Sequence, residues 1–140
     1  AYTQESTRYV DESEFRVIIP PDKDKDEKLF NLVFPGGNKF NVSFQDWVDL
    51  NEQMYRELRK TGWVAQDARQ VLPIGIKAQI VATANFREWR HIFELRCSPA
   101  AHWEIRMVMV NLLDDVKKII PVVFDDFEIS EDKKSAILKK

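Results

Sequence analysis

The chain has 140 residues, 44% of them apolar and 31% charged, with a formal net charge of -2 and four glycines. These figures describe one globular domain with a short tail, and they exclude a wholly disordered chain, a collagen-like repeat and a multidomain protein. A chain of this size buries roughly two thirds of its unfolded surface, so a core forms without disulfides, and Cys97 has no second cysteine to pair with. No run of about 18 apolar residues is available to cross a bilayer, and residues 1–15 lack the basic start and apolar core of a signal peptide. The expected location is therefore the cytoplasm, with no membrane partner. Lys+Arg 21 balance Asp+Glu 23, which argues against nucleic acid as a partner. A small anionic ligand needs only a few placed arginines.

In chain order, AYTQESTRYV reads as an extended segment, and FRVIIPP is a β-branched run stopped by Pro20 and Pro21. DKDKDEK reads as a solvated loop. Residues 28–34 and 39–43 flank Pro35-Gly36-Gly37-Asn38 and predict a β-hairpin. Ser43 and Asp46 have capping-box spacing, and Phe44, Trp47, Val48, Met54, Tyr55 and Leu58 then recur at helical spacing up to a stop at Gly62. A shorter helix is expected over 64–72, ended by Pro73, followed by an alternating strand over 76–84 in a central sheet. Asn85 caps the next helix, with Glu88 reaching back and Phe86, Trp89, Phe93 and Cys97 as its buried stripe. Residues 100–120 form the most apolar helix, carrying Trp103, Ile105, Val108, Met109, Leu112, Leu113, Val116 and Ile119. After Pro121 a short strand or turn is expected around Phe124–Ile129, then a charged end that frays. The mixed order of elements favours an α+β fold.

Generic catalytic motifs are absent: there is no Gly-rich phosphate loop, HExxH, CxxC or GxSxG, and His91, His102 and Cys97 make a poor set of metal ligands. No metal is expected. The anomaly is Arg106. At about 100° per residue it lies roughly 200° from Glu104, away from the wet face of Glu104, Asn111, Asp115 and Lys118. A desolvated guanidinium without a partner costs several kcal/mol, so an anionic or strongly accepting group is expected against it. Helix geometry alone leaves two readings open, an internal ion pair and a ligand. An extended N-terminal backbone also places Gln4, Ser6 and Arg8 on one face, suited to a phosphate or sugar. A capped turn with a surface arginine is the plainer reading of that segment taken alone.

Together these segments resemble the flavin-dependent thymidylate synthases, the ThyX family. ESTRYV is similar to the end of the signature RHRxxSxNExSxRY, matching at Ser6, Arg8 and Tyr9. ARQVLP (68–73), IVATANFREWRHIFELR (80–96) and AAHWEIR (100–106) are similar to the family's ARxVLP, TxNxRxWRHF and AQWEIR stretches. The resemblance implies a ThyX-like α+β fold with antiparallel sheet packed against helices. It implies a homotetrameric enzyme that converts dUMP to dTMP with methylenetetrahydrofolate, using FAD reduced by NADPH. Arg106 matches the arginine that contacts uracil and favours ionisation of N3. The stretch Gln4, Glu5, Ser6, Thr7 and Arg8, together with Gln79, matches positions that hold dUMP, with Arg8 on its phosphate. Glu94, Leu95 and Arg96 match the stretch that touches FAD.

Several residues depart from the pattern. Gln79 stands where many members have arginine, His102 replaces glutamine, Ala100 replaces a histidine found in part of the family, Gln4 replaces glutamate and Thr3 replaces asparagine. The RHR triplet does not occur in the sequence. Residues 1–124 are accordingly expected to be the C-terminal portion of a ThyX-like catalytic domain, incomplete at its N-terminus, and 125–140 a charged tail, with the N-terminal portion of the same enzyme as a partner. A noncatalytic nucleotide-binding or assembly subunit is the alternative.

Overall fold

The computed structural model describes residues 1–5, 15–21, 23 and 28–139. The expected ligand residues Ser6, Thr7 and Arg8, with Tyr9, lie outside the described residues, as does most of DKDKDEK. The chain divides into two compact units, one of residues 2–81 and one of residues 82–140 with Ala1.

In the first unit, β1 (Tyr2–Gln4) pairs with β4 (Ile80–Ala82), and β2 (Phe30–Val33) pairs antiparallel with β3 (Lys39–Val42). The predicted hairpin is present, in register Phe30 opposite Val42 and Val33 opposite Lys39. Its turn closes through the Asn38 carbonyl accepting from Phe34 N–H at 2.8 Å. Gly36 and Gly37 sit at φ +95° and +83°, a left-handed backbone that a side chain would strain.

Helix α1 (Phe44–Lys60) opens on the predicted capping box. Ser43 Oγ accepts from Asp46 N–H at 3.1 Å, and Asp46 Oδ2 accepts from Ser43 N–H at 2.7 Å. Those bonds, the backbone one foremost, hold the Asp46 carboxyl below the usual carboxylate range. Val48 and Tyr55, which share one face, are buried, whereas Trp47 and Met54 flank that face and stay half exposed. Gly62, at φ +95°, ends the element as expected. The helix expected over 64–72 is shorter: α2 (Ala65–Ala68) tightens into a 3₁₀ turn at Arg69–Val71 before Pro73.

The expected strand 76–84 is also shortened, for a visible reason. Its first part bonds to the FRVIIPP run, with Lys77 N–H on the Arg16 carbonyl and Ile18 N–H on the Gly75 carbonyl, and Val17 faces Ile76 in an isolated bridge. From Gln79 onward the partner is the N-terminal segment, with Glu5 N–H donating to the Gln79 carbonyl and Thr83 N–H to the Ala1 carbonyl. Changing partner breaks one long strand into two short pairings, so the expected central sheet is replaced by three two-stranded sheets among the described residues.

The second unit holds α3 (Phe86–Arg96), α4 (Trp103–Ile119), α5 (Pro121–Phe124), and the antiparallel pair β5 (Phe127–Ile129) and β6 (Ala136–Leu138). Asn85 caps α3 by accepting from Glu88 N–H, while the expected return bond from Glu88 is not made. The core joins Phe93, Cys97, Val110, Leu113, Phe124, Phe127 and Ala136. The Phe93 ring meets Phe124 and Phe127 edge to face at 5.6 and 6.3 Å and stacks on Trp89 at 5.6 Å. Each phenylalanine fully buried there contributes roughly 1.5–3 kcal/mol.

Three buried-stripe expectations are corrected. Phe86 is 53% exposed, because it starts the helix with no preceding turn to cover it. Val108 and Ile119 are 51% and 74% exposed. At about 100° per residue both fall within roughly 60° of Glu104, on the wet side of α4. The short strand expected around Phe124–Ile129 is present as β5, whereas the end expected to fray instead folds back against it as β6, with Phe127 and Ala136 in the core. The described chain is thus α+β, and none of its helices is long and apolar enough to cross a membrane.

Candidate functional site

In the first unit, the pairing of β1 with β4 brings Gln4, Glu5 and Gln79 together. Glu5 N–H donates to the Gln79 carbonyl at 3.0 Å, and Gln79 N–H approaches Glu5 Oε2 at 3.4 Å. All three side chains are exposed. The expected dUMP residues that are described in this unit therefore form one solvent-facing group at the end of a strand pair.

In the second unit, Glu94, Leu95 and Arg96 occupy the last turn of α3 and are all exposed. Cationic Arg96 suits this position because the carbonyl end of a helix carries partial negative charge. It makes no hydrogen bond or ion pair with a described residue, so its guanidinium is open to a ligand. The three residues line a cleft of about 600 Å³, whose other walls are the loop Ser98–Ala101 and strand β6. Ser98 Oγ accepts from Ala100 N–H, and the Cys97 carbonyl accepts from Ala136 N–H at 2.8 Å, which stitches β6 to the end of α3.

Arg106 lies on the core side of α4, in the sector of buried Val110 and Leu113, but one turn from the helix start. It is half-buried. Its Nη1 donates to the Pro99 carbonyl at 2.7 Å, and no described carboxylate pairs with it. The internal ion pair is thus replaced by a backbone acceptor, and the remaining guanidinium donors are unspent. The bond also braces the loop that lines the Arg96 cleft. His102, standing where the family pattern has glutamine, caps α4 through Nδ1, which accepts from Glu104 N–H at 3.4 Å.

Two features escaped the sequence reading. Arg90 pairs with Asp126 through two hydrogen bonds of 2.7 and 2.5 Å, donates to the Val123 carbonyl, and lies over the Phe127 ring. The sequence carries a signal for it, since Arg90 sits within about 60° of Phe93 and Cys97 on α3, by the same angular argument that applies to Arg106. The second feature is β6 as a wall of the Arg96 cleft. Its alternation over three residues is too short to place from sequence. Cys97 is fully buried in the core, and that burial pushes its thiol up to about 11. Among the described residues, no three His, Cys, Asp or Glu side chains gather in a metal-ligating group.

Comparison with known proteins bears on this arrangement. The model of the family described as thymidylate synthase complementing protein matches residues 1–122. The chain is 32% identical over 134 residues to the flavin-dependent thymidylate synthase of Mycobacterium avium (strain 104), covering 93% of this chain and 54% of that protein. It is 31% identical, with the same coverage, to the enzyme of that name from Mycobacterium tuberculosis, and 30% identical to that of Mycobacterium marinum. The chain spans about half the length of these curated relatives. With the family model covering most of its length, the chain belongs to the thymidylate synthase complementing protein family, the ThyX family whose stretches its sequence resembles.

Proposed function

We propose that this chain is the portion of a flavin-dependent thymidylate synthase that carries much of the dUMP site and one side of the flavin site. The observation that carries the reading is Arg106, a guanidinium on the core side of an apolar helix with one donor on a backbone carbonyl and no other partner among the described residues. Planar, multi-donor recognition is what a uracil edge requires. Arg106 would hold the pyrimidine and stabilise charge at N3, raising electron density at C5, the atom that gains the methyl group. By the family resemblance Gln4, Glu5, Ser6, Thr7 and Arg8 with Gln79 would contact dUMP, Arg8 taking the phosphate as a bidentate donor. With Gln79 in place of arginine, that side offers hydrogen bonds and no charge.

A flavin dinucleotide needs a cation for its pyrophosphate and apolar walls for its rings. The cleft with unengaged Arg96, exposed Leu95 and the Ser98 hydroxyl fits part of that demand. Glu94, Leu95 and Arg96 would hold it there. Reduced by NADPH, a bound flavin supplies the two electrons by which the methylene of methylenetetrahydrofolate becomes a methyl group, leaving tetrahydrofolate. The further cations come from an RHR triplet carried on polypeptide beyond these 140 residues, in a homotetramer. The test is an absorbance spectrum and a dTMP assay on the chain alone and on its mixture with a polypeptide carrying the RHR portion. The expected result is weak or no flavin alone and, in the mixture, a flavin band with NADPH-dependent dTMP formation. Stoichiometric flavin and turnover by the chain alone would end the split reading. Protection by dUMP without flavin in either sample would replace it with a noncatalytic nucleotide-binding subunit.

A further inference from the structure

Arg106 is tied at two points to the stretch that precedes α4. Its Nη1 donates to the Pro99 carbonyl at 2.7 Å, and its backbone N–H donates to the His102 carbonyl at 3.1 Å. The direction of the guanidinium therefore depends on the junction between the Ser98–Ala101 loop and α4. That junction is stitched by a backbone bond, Ala101 N–H on the Ser98 carbonyl at 2.9 Å, and by two side-chain acceptors, Ser98 Oγ for Ala100 N–H and His102 Nδ1 for Glu104 N–H. Of the two acceptors only the imidazole takes up a proton. Its Nδ1 accepts while that nitrogen keeps its lone pair. An imidazolium there donates instead, leaves an N–H of the first turn without its cap, and sets positive charge against the positive end of α4 and one turn from the Arg106 guanidinium. The charged side chains of the elements that meet at this junction are Glu104 and Arg106 on α4 and, across the loop, Glu94 and Arg96 on the last turn of α3. The loop itself carries none. Two carboxylates and two guanidiniums leave no net negative charge to offset the lost cap.

We propose that His102 is a positioning residue for the nucleotide site: through its neutral Nδ1 cap it holds the junction that aims Arg106, so that dUMP binding weakens when the imidazole takes up a proton. This rests on the dUMP-binding reading above. An imidazole is the side chain that ordinarily changes charge between pH 5 and pH 8. The experiment is a calorimetric titration of dUMP, at pH 8 and at pH 5.5, into the chain mixed with the RHR-bearing polypeptide. It compares wild type with His102→Asn, whose amide oxygen is a cap that does not titrate, and with His102→Ala, which has no cap. Titration of the dUMP phosphate and of His91 is common to all three proteins and cancels in the comparison. The rise in Kd from pH 8 to pH 5.5 should be about three- to fivefold larger for wild type than for either variant, the equilibrium effect of one helix cap. At pH 5.5 wild type should bind no better than His102→Ala. In the isotope-labelled wild-type chain, the Glu104 amide resonance should move with protonation of the His102 ring, a readout that needs neither a variant nor a nucleotide. A Glu104 amide that ignores the ring, or an equal rise in Kd for wild type and His102→Asn, overturns the positioning role and leaves the proposed function standing. No dUMP binding by the wild-type mixture at either pH overturns both.

Discussion

Arg90 on α3 and Asp126 just ahead of β5 face each other in a two-point ion pair, Nη1 to Oδ1 at 2.7 Å and Nη2 to Oδ2 at 2.5 Å. The same guanidinium donates to the Val123 carbonyl and lies 5.3 Å from the centre of the Phe127 ring. One side chain thus ties α3, the end of α5 and β5 together, and the cleft at the far end of α3 inherits that rigidity.

The pair gives the fold an acid-side pH dependence. The hydrogen bonds from Arg90 hold the Asp126 carboxyl below the usual carboxylate range, while an unfolded aspartate titrates near 3.9. A depressed pKa stabilises the fold fully above about 3.9, and that contribution is lost as pH falls through the folded value. Arg90 is pushed further up, chiefly by the same hydrogen bonds, and stays charged throughout. Both side chains are about a third or more exposed, so solvent screening keeps the contribution near 1 kcal/mol. Asp126→Asn should cost about that much at pH 7 in urea unfolding. The gap to wild type should hold above about pH 3.9 and shrink as pH falls below it, and a constant gap would show that the pair does not titrate with folding.

Phe127 tests whether the C-terminal hairpin belongs to the fold. Its side chain is 1% exposed and meets Phe93 and the Arg90 guanidinium. Phe127→Ala should destabilise by about 3–5 kcal/mol, the range for emptying an aromatic from a core. A loss within about 0.5 kcal/mol, typical of surface positions, would mean that residues 125–139 contribute little to the core.

The hairpin at 30–42, the cap at Ser43, the stops at Gly62 and Pro73 and the cap at Asn85 were legible because each depends on residues within four positions. What the sequence did not yield depends on partners far along the chain. Strand 76–84 reads as one alternating run, yet Arg16 and Ala1–Glu5 compete for its two halves. The tail reads as charged, yet Phe127 and Ala136 fall into a core built by α3 and α4. Val108 reads as buried by its apolar character, yet its helical angle puts it beside Glu104 and it is half exposed. Arg106 stands out by its helical angle, but its partner is a carbonyl of the preceding loop, a group that every residue carries and that no residue type marks.

Cys97 should be chemically silent in the folded protein. It is fully buried, and that burial pushes the thiol up to about 11, so at pH 8 only about a thousandth is thiolate, the reactive form. Reaction with a disulfide reagent at pH 8 should be slow in buffer and immediate in 8 M urea. Equal rates in the two would mean that the core around Phe93 opens freely.

Arg106→Lys separates the ligand role from the brace. Lysine keeps the charge and, as a flexible single-point donor of slightly shorter reach, can still satisfy the Pro99 carbonyl that Nη1 now holds at 2.7 Å. It cannot at the same time present a planar pair of donors to a pyrimidine edge. Stability should therefore fall by less than about 1 kcal/mol, the net worth of an ordinary hydrogen bond. The dUMP affinity or turnover of the mixture with the RHR-bearing polypeptide should fall more than tenfold, or about 1.4 kcal/mol. Urea unfolding of the chain and a dUMP titration of the mixture read the two quantities separately. Unchanged dUMP binding and dTMP formation would remove Arg106 from the nucleotide site. A stability loss as large as the loss of affinity would make it a brace for the Ser98–Ala101 loop and nothing more.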